Sequence, residues 1–316
     1  MIHTLINYYE RPVFQSLLGM GMAAAYWLTL PEQSMYQREW VVFLILLAPL
    51  AWFPMASVIL GRRLHPAWHL TISVGWLLSF SLPTGWPATL LCLPWFTYLL
   101  REVGILAPPL LSSKPRDWQG KDLLTLAAYA FGLVAVGWAL ADRIGYQILD
   151  FNPLMGLLTV AHFHYAGLLL TLVASWIYPY FRLSIKRRIL WLLLSGIPAT
   201  AVGITVTHLG GPRWIESCSA TLMVAAGCYL AWLQGQLATR STFTQAARYC
   251  FGLGSVLLFV GMALALLYGW NHWLHIPWLS IPWMYAVHGS FNTLTLGAIW
   301  IPGWWIVHRQ DLSYAG

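Results

Sequence analysis

The sequence predicts an all-α protein, a polytopic bundle of helices in a membrane. Its 316 residues are 59% hydrophobic and 9% charged, whereas a soluble domain carries about 25% charged residues. Too little polar surface is left to cover a water-soluble globule. The 20 Trp and 15 Tyr residues suit the aromatic belts that form at the two membrane interfaces.

About ten membrane-spanning helices are predicted, because ten apolar stretches approach the roughly 20 residues that a helix needs to cross a bilayer. They cover residues 12–31, 40–60, 66–82, 84–100, 122–141, 153–179, 189–208, 215–237, 250–270 and 281–307. The third and fourth are short and separated only by Ser-Leu-Pro-Thr-Gly. If they form a hairpin that does not cross, eight helices remain. The first stretch lacks a basic start and a cleavage site, so we expect a retained helix.

The Lys and Arg residues predict the orientation, because short cytoplasmic loops are enriched in them. With the N-terminus in the cytoplasm, 14 of the 17 lie on that side: Arg11, Arg62, Arg63, Arg101, Lys114, Arg116, Lys121, Arg182, Lys186, Arg187, Arg188, Arg240, Arg248 and Arg309. The other side receives Arg38, Arg143 and Arg213. Both termini are therefore predicted to be cytoplasmic, in an inner (plasma) membrane.

A single transmembrane domain is predicted over residues 1–316. Helices within 1–121 are expected to be mainly scaffold, and the helices of 122–308 carry the polar site. The net charge of +7 lies in short loops between apolar runs, so no nucleic-acid partner is indicated. The cysteines form no CxxC pair, and neither a disulfide framework nor a zinc knuckle is expected; they are Cys92, Cys218, Cys228 and Cys250.

Polar side chains at membrane depth are candidates for a functional site, because burying them in hydrocarbon is costly. They gather in the sixth, seventh, eighth and tenth predicted helices, in the half of the membrane away from the cytoplasm. At 1.5 Å of rise per residue, His162 and His164 lie roughly 14–17 Å below the start of their helix, and His288 roughly 10 Å. The catalytic candidates are His162, His164, Glu216 and His288, and the supporting candidates are Tyr165, Asn152, His208, Asn292 and Ser219.

Helix geometry limits what the two neighbouring histidines can do. Residues two apart point about 200° from each other, so His162 and His164 cannot both bind one metal from a regular helix. One of them is expected to face a cavity while the other bonds a neighbouring helix. Tyr165 is expected to share the face of His162, and Asn292 shares the face of His288.

Structural roles are the alternative for the same residues. Either histidine could be an interhelical hydrogen-bonding group, Glu216 could complement the helix dipole, and His208 could lie at the interface. Asp142, Arg143 and Asp150 are expected to pair in an outer loop, where ion pairs contribute little to stability.

Three motifs resemble the YndJ-like family of bacterial membrane proteins. The distinctive one is Thr-Val-Ala-His162-Phe-His-Tyr-Ala-Gly167; Gly211-Pro-Arg-Trp-Ile-Glu216 and His288-Gly-Ser-Phe-Asn292 follow in order. The resemblance covers about residues 152–298. After Asn292, Thr-Leu-Thr-Leu-Gly departs from the Gly-Phe ending that the family suggests. The resemblance implies a polytopic bacterial membrane protein; a transporter label is sometimes attached to the family, and no settled activity follows.

Three functions fit these residues. The first is an intramembrane enzyme in which His, Glu and Tyr perform acid–base isomerisation, cyclisation or epoxide opening on a lipophilic substrate. The second is a transporter or proton-coupled channel, which the lack of an internal repeat and of charges in the inner half disfavours. The third is a metal or haem site built from His162, His208, His288 and Glu216. No cofactor motif is present, so no cofactor is predicted; the expected partners are membrane lipids and the lipophilic small molecule.

Overall fold

A computed structural model describes residues 11–62, 64–112 and 120–314, with side chains as far as residue 310. Three of the basic residues used for the predicted orientation, Arg63, Lys114 and Arg116, lie outside the described residues.

The described residues form ten long helices and no strand. They are α1 Pro12–Leu28, α2 Arg38–Ile59, α3 Pro66–Ser81, α4 Trp86–Ser112, α5 Gly120–Ile144, α6 Pro153–Tyr180, α7 Leu183–His208, α8 Arg213–Ala238, α9 Gln245–Gly269 and α10 281–314. Among the described residues, 7 helices, α2 and α4 to α9, are long and apolar enough to cross a membrane. The predicted helical bundle is confirmed, while the number of crossings and the sides of the termini stay predictions.

The helix starts follow from local sequence. Proline occupies the first or second position of α1, α3, α6 and α10, where its missing N–H costs no hydrogen bond. Side chains of the preceding residue accept a backbone N–H at the start of α6, α9 and α10; these caps are Asn152, Thr244 and Ser280. Such caps satisfy donors that a helix cannot satisfy itself.

Hydrogen bonds between loops and the ends of neighbouring helices show which helix ends lie together. Four of them join Tyr36 to Tyr285, Gly85 to Arg143, Leu149 to His208, and Arg213 to His272. They link the loops 29–37, 82–85, 145–152, 209–212 and 270–280 into one end of the bundle, which we call the arginine-poor end. At the opposite, basic end, Arg240 donates to the carbonyl oxygen of Tyr180 at 3.1 Å.

The Asp142–Arg143 pair differs from the predicted surface pair. Both side chains are buried, with 7% and 3% of their surface exposed, and Arg143 also donates to the carbonyl oxygen of Ser79 at 3.3 Å. Its guanidinium lies 4.8 Å from the ring centre of Phe80. The pair therefore holds the turn between α3 and α4, and no described contact joins it to the exposed Asp150. The predicted pairing of Asp142 with Arg143 is present, but the pair is buried, because Arg143 turns inward to the carbonyl oxygen of Ser79.

Three helices at the centre carry π-helical segments. These are Ala48–Trp52 in α2, Phe163–Leu169 in α6, and Tyr285–Gly289 with Leu294–Trp300 in α10. The segments of α2 and α6 contact each other, and both contact Leu294–Trp300 of α10. Such bulges are often found at functional sites, and here two of them adjoin or contain the candidate histidines.

Glycine 19 sets the close contact between α1 and α2. A Cβ atom built on Gly19 would lie 1.9 Å from the carbonyl oxygen of Leu50. Because the obstacle is backbone, it cannot rotate away. Helices in membranes use small residues for such close approach.

We expect Gly19→Ala to lower the free energy of unfolding by about 1–3 kcal/mol through overpacking. Gly21→Ala is the matched control in the same helix, since nothing lies within 4 Å of its added Cβ; it should stabilise by about 0.5 kcal/mol. Unfolding in mixed micelles measures both. Equal stability of the two variants would contradict the packing of α1 on α2.

Candidate functional site

His162 offers a ring nitrogen with a lone pair on an exposed part of α6. Its Nδ1–H donates to the carbonyl oxygen of Leu158 at 2.8 Å, because a carbonyl can only accept. Nε2 therefore carries the lone pair, and it has no partner among the described residues. The side chain is exposed on α6, so Nε2 is accessible from outside the packed core.

His164 is held on both nitrogens. Its Nδ1–H donates to the carbonyl oxygen of Val160 at 2.9 Å, and its Nε2 accepts the indole N–H of Trp95 at 3.0 Å. The ring is fully buried, stacked at 11° to Trp95 and edge-on to Trp76. His164 thus joins α6 to α4 and leaves no nitrogen for chemistry, although it was predicted as a catalytic candidate.

His288 faces α9 and is also held on both nitrogens. Its Nδ1–H donates to the carbonyl oxygen of Gly261 at 2.9 Å, and its Nε2 accepts from the Asn292 amide at 3.0 Å. A Cβ on Gly261 would lie 2.6 Å from Asn292 Oδ1, so glycine is needed there. His288 lies close enough to His162 for the two rings to interact electrostatically. The structure therefore brings His162, His288 and Asn292 together.

Tyr165 does not share the face of His162, contrary to the prediction. Its hydroxyl donates to the carbonyl oxygen of Leu44 at 2.6 Å and lies close enough to Trp52 and Thr293 to interact with them. The π-helical segment that begins at Phe163 is the reason. A π turn holds more residues than an α turn, so residues three apart point farther from each other.

Glu216 lies apart from the histidines. Its carboxylate has no hydrogen bond or ion pair within the described part of the chain, and it lies near enough to Tyr268 of α9 to act on it electrostatically. No described interaction joins it to His162 or His288. Ser219 donates to the carbonyl oxygen of Glu216 at 2.8 Å. It also packs on Gly203, where an added Cβ would lie 2.1 Å from the Ser219 hydroxyl oxygen. It fixes α8 against α7.

His208 and Asn152 organise the loop before α6. His208 Nε2 donates to the carbonyl oxygen of Leu149 at 2.9 Å, a residue with a left-handed backbone at φ 54°. Its ring stacks on Phe151 with centres 3.9 Å apart. Asn152 Oδ1 accepts the Met155 N–H at 2.9 Å, so it is a helix cap. Neither side chain has a described contact with His162.

The residues proposed for a metal do not converge. In the described ranges 11–62, 64–112 and 120–314, no group of three or more His, Cys, Asp or Glu side chains is arranged to hold an ion. His208 is held by the loop, and His288 by Gly261 and Asn292. The metal or haem alternative therefore has no site built from the four residues predicted for it.

Two partners of the site were not predicted from sequence. Trp95 belongs to α4, in the part expected to be scaffold, yet its indole fixes His164. In a chain with 20 Trp, nothing in the sequence distinguishes this one. Gly261 lies in an apolar run with many small residues, and only its contact with Asn292 reveals its role.

Seven described helices that are long and apolar enough to cross a membrane make this a polytopic helical membrane protein. The chain belongs to the YndJ-like family: the model for "YndJ-like protein" matches residues 43–296. The match begins well before residue 152, where the resemblance was expected to start, so α2 to α5 carry family sequence as well.

A curated relative is the uncharacterized membrane protein YndJ of Bacillus subtilis (strain 168). It is 26% identical over 183 residues, which cover 55% of this chain and 32% of that protein. The aligned part is thus about a third of the relative's length. No solved structure matches the chain.

The Trp95–His164 bond should be visible in a double-mutant cycle. His164→Leu strands a buried indole N–H, which costs about 1–3 kcal/mol of unfolding free energy. In a Trp95→Phe background no N–H is stranded, so His164→Leu should cost at least about 1 kcal/mol less. Trp95→Phe with His208→Leu is the control pair, because these residues share no partner and should add. Additive effects for Trp95 and His164 would refute the bond.

Proposed function

We propose that this protein is an intramembrane enzyme in which His162 performs acid–base chemistry on a lipophilic substrate. The supporting observation is the state of the three candidate histidines, His162, His164 and His288. All three donate Nδ1–H to a carbonyl oxygen, and Nε2 of His164 and of His288 already has a partner. His162 alone among them keeps an unpartnered Nε2 on accessible surface.

The geometry supports a proton acceptor whose tautomer is fixed. A general base needs a lone pair aimed at the substrate, and the bond on its other nitrogen determines which tautomer is present. Leu158 provides that bond for His162. His288 and Asn292 would line the same space as polar contacts, and Glu216 would lie outside the reacting centre.

The substrate is inferred to be lipophilic because the site lies among apolar helices. Isomerisation or cyclisation requires only that His162 remove a proton from a substrate carbon and return one to another carbon. Atoms and electrons balance without a further reactant.

Deuterium uptake from heavy water tests the chemistry without a known substrate. Purified protein is reconstituted with Bacillus subtilis lipid extract in D2O, and the lipids are returned to H2O before mass spectrometry. Deuterium on oxygen or nitrogen washes out, while deuterium on carbon remains. We expect one lipid species to gain carbon-bound deuterium, with His162→Ala and His162→Gln losing this activity.

His275→Asn is the control, since His275 is exposed in the loop before α10 and has a left-handed backbone that Asn tolerates. It should retain full uptake. Deuteration that survives His162→Ala, or the absence of any His162-dependent product, would contradict the proposal.

We further propose that the arginine-poor end faces away from the cytoplasm of a bacterial cell, with both termini inside. In a variant whose native cysteines are replaced, His275→Cys should react with an impermeant maleimide on intact cells. Ser241→Cys, in the loop of the basic end, should react only after permeabilisation. The reverse pattern would overturn this orientation.

A further inference from the structure

Buried polar atoms without partners follow α10 and the helices around it. On α10 these are Asn292 Oδ1, Thr293 Oγ1, Thr295 Oγ1, Trp300 Nε1 and Trp304 Nε1, and nearby are Trp52 Nε1, Trp176 Nε1 and both amide atoms of Gln234. None meets the distance and angle of a hydrogen bond among the described residues. Trp52 and Thr293 lie near the Tyr165 hydroxyl, so only the other seven atoms are taken to lack a partner. We call the whole set the helix-10 column.

The members of the column lie on packed helices. Trp52 of α2 packs on Gly297, where a Cβ would come within 2.2 Å of its ring, and the ring centres of Trp176 and Trp304 are 6.4 Å apart. Gln234 lies on α8, which contacts both α9 and the second half of α6. It has no exposed surface.

The column spans the half of the bundle between the site and the basic end. At one end Asn292 donates to His288. Twelve residues on, roughly 18 Å at the helical rise, the ring of Trp304 lies 5.6 Å from that of Tyr180. The carbonyl oxygen of Tyr180 accepts from Arg240 at the basic end.

The chemistry of the column selects its ligand. The indoles can only donate and Asn292 Oδ1 can only accept, while the Thr hydroxyls and the Gln234 amide can do both. An anion would satisfy the donors alone, and a cation the acceptors alone. A small molecule that donates and accepts satisfies all of them, as water does at buried polar sites. Left unpaired at this depth, each group would cost about 1–3 kcal/mol.

We propose that the helix-10 column is a hydrated path that connects the His162–His288 site with the basic end of the bundle. It supplies polar groups along α10 in the half of the bundle nearer the basic end. Water molecules in line along it give the site a route for protons to the basic end. This path is independent of any reaction at His162.

Radiolytic labelling of the unmodified protein tests the path. A short X-ray pulse converts water to hydroxyl radicals, which oxidise the side chains beside them. Trp300 and Trp304 are 0% and 3% exposed, yet both should be oxidised several-fold faster than the control Trp95. Trp95 is 1% exposed and its N–H is held by His164, so no water is expected there.

Oxidation of Trp300 and Trp304 as slow as that of Trp95 would overturn the hydrated path. The measurement does not depend on substrate turnover, so it separates failure of the path from failure of the proposed enzyme. If Trp300 and Trp304 are oxidised rapidly but no lipid takes up deuterium, the hydrated path stands and the proposed enzyme activity fails.

Discussion

Inside a bilayer a polar group finds no water to bond, so the protein has to satisfy it, and this constraint orders the whole site. The three candidate histidines meet it in the same way: each donates Nδ1–H to a carbonyl oxygen, which fixes Nε2 as an acceptor. What differs is the partner of Nε2, namely Trp95 for His164, Asn292 for His288 and no described group for His162. The same Nδ1–H bond therefore leaves three outcomes: His164 cross-links two helices, His288 pairs with Asn292, and His162 keeps an Nε2 without a described partner.

The constraint also explains the close packing between helices. A carbonyl of α9 can receive the His288 N–H only because Gly261 lets α10 approach, and α1 approaches the backbone of α2 only because position 19 is glycine. The π-helical segments act similarly, because they turn Tyr165 toward the carbonyl oxygen of Leu44. Small residues let neighbouring helices approach closely, and the π-helical segments redirect side chains. Both bring a polar group within hydrogen-bond distance of a partner.

Much of the fold could be predicted from the sequence, because length and hydropathy are direct consequences of the bilayer. Most of the ten helices begin and end within a few residues of the predicted limits, but α4 continues to Ser112, α7 begins at Leu183 and α10 continues to Tyr314. The 200° separation of His162 and His164 anticipates their different surroundings. Tyr165 was misplaced because a π bulge has no clear signal in the sequence. Arg143 was misplaced because a charged residue near a helix end looks exposed until its carbonyl partner is known. Trp95 could not be singled out, since apolar helices carry many tryptophans for ordinary packing.

The same reasoning gives the polar groups of α10 their meaning. Where the protein needs a dry, fixed contact, it supplies a partner for an indole, as His164 does for Trp95. Along α10, from Asn292 to Trp304, the bundle holds donors and acceptors without a described hydrogen-bond partner. A core built only for packing would hold apolar residues there, because each polar one is costly. The arrangement is therefore better explained by water that belongs to the structure and continues from the histidines to the basic end.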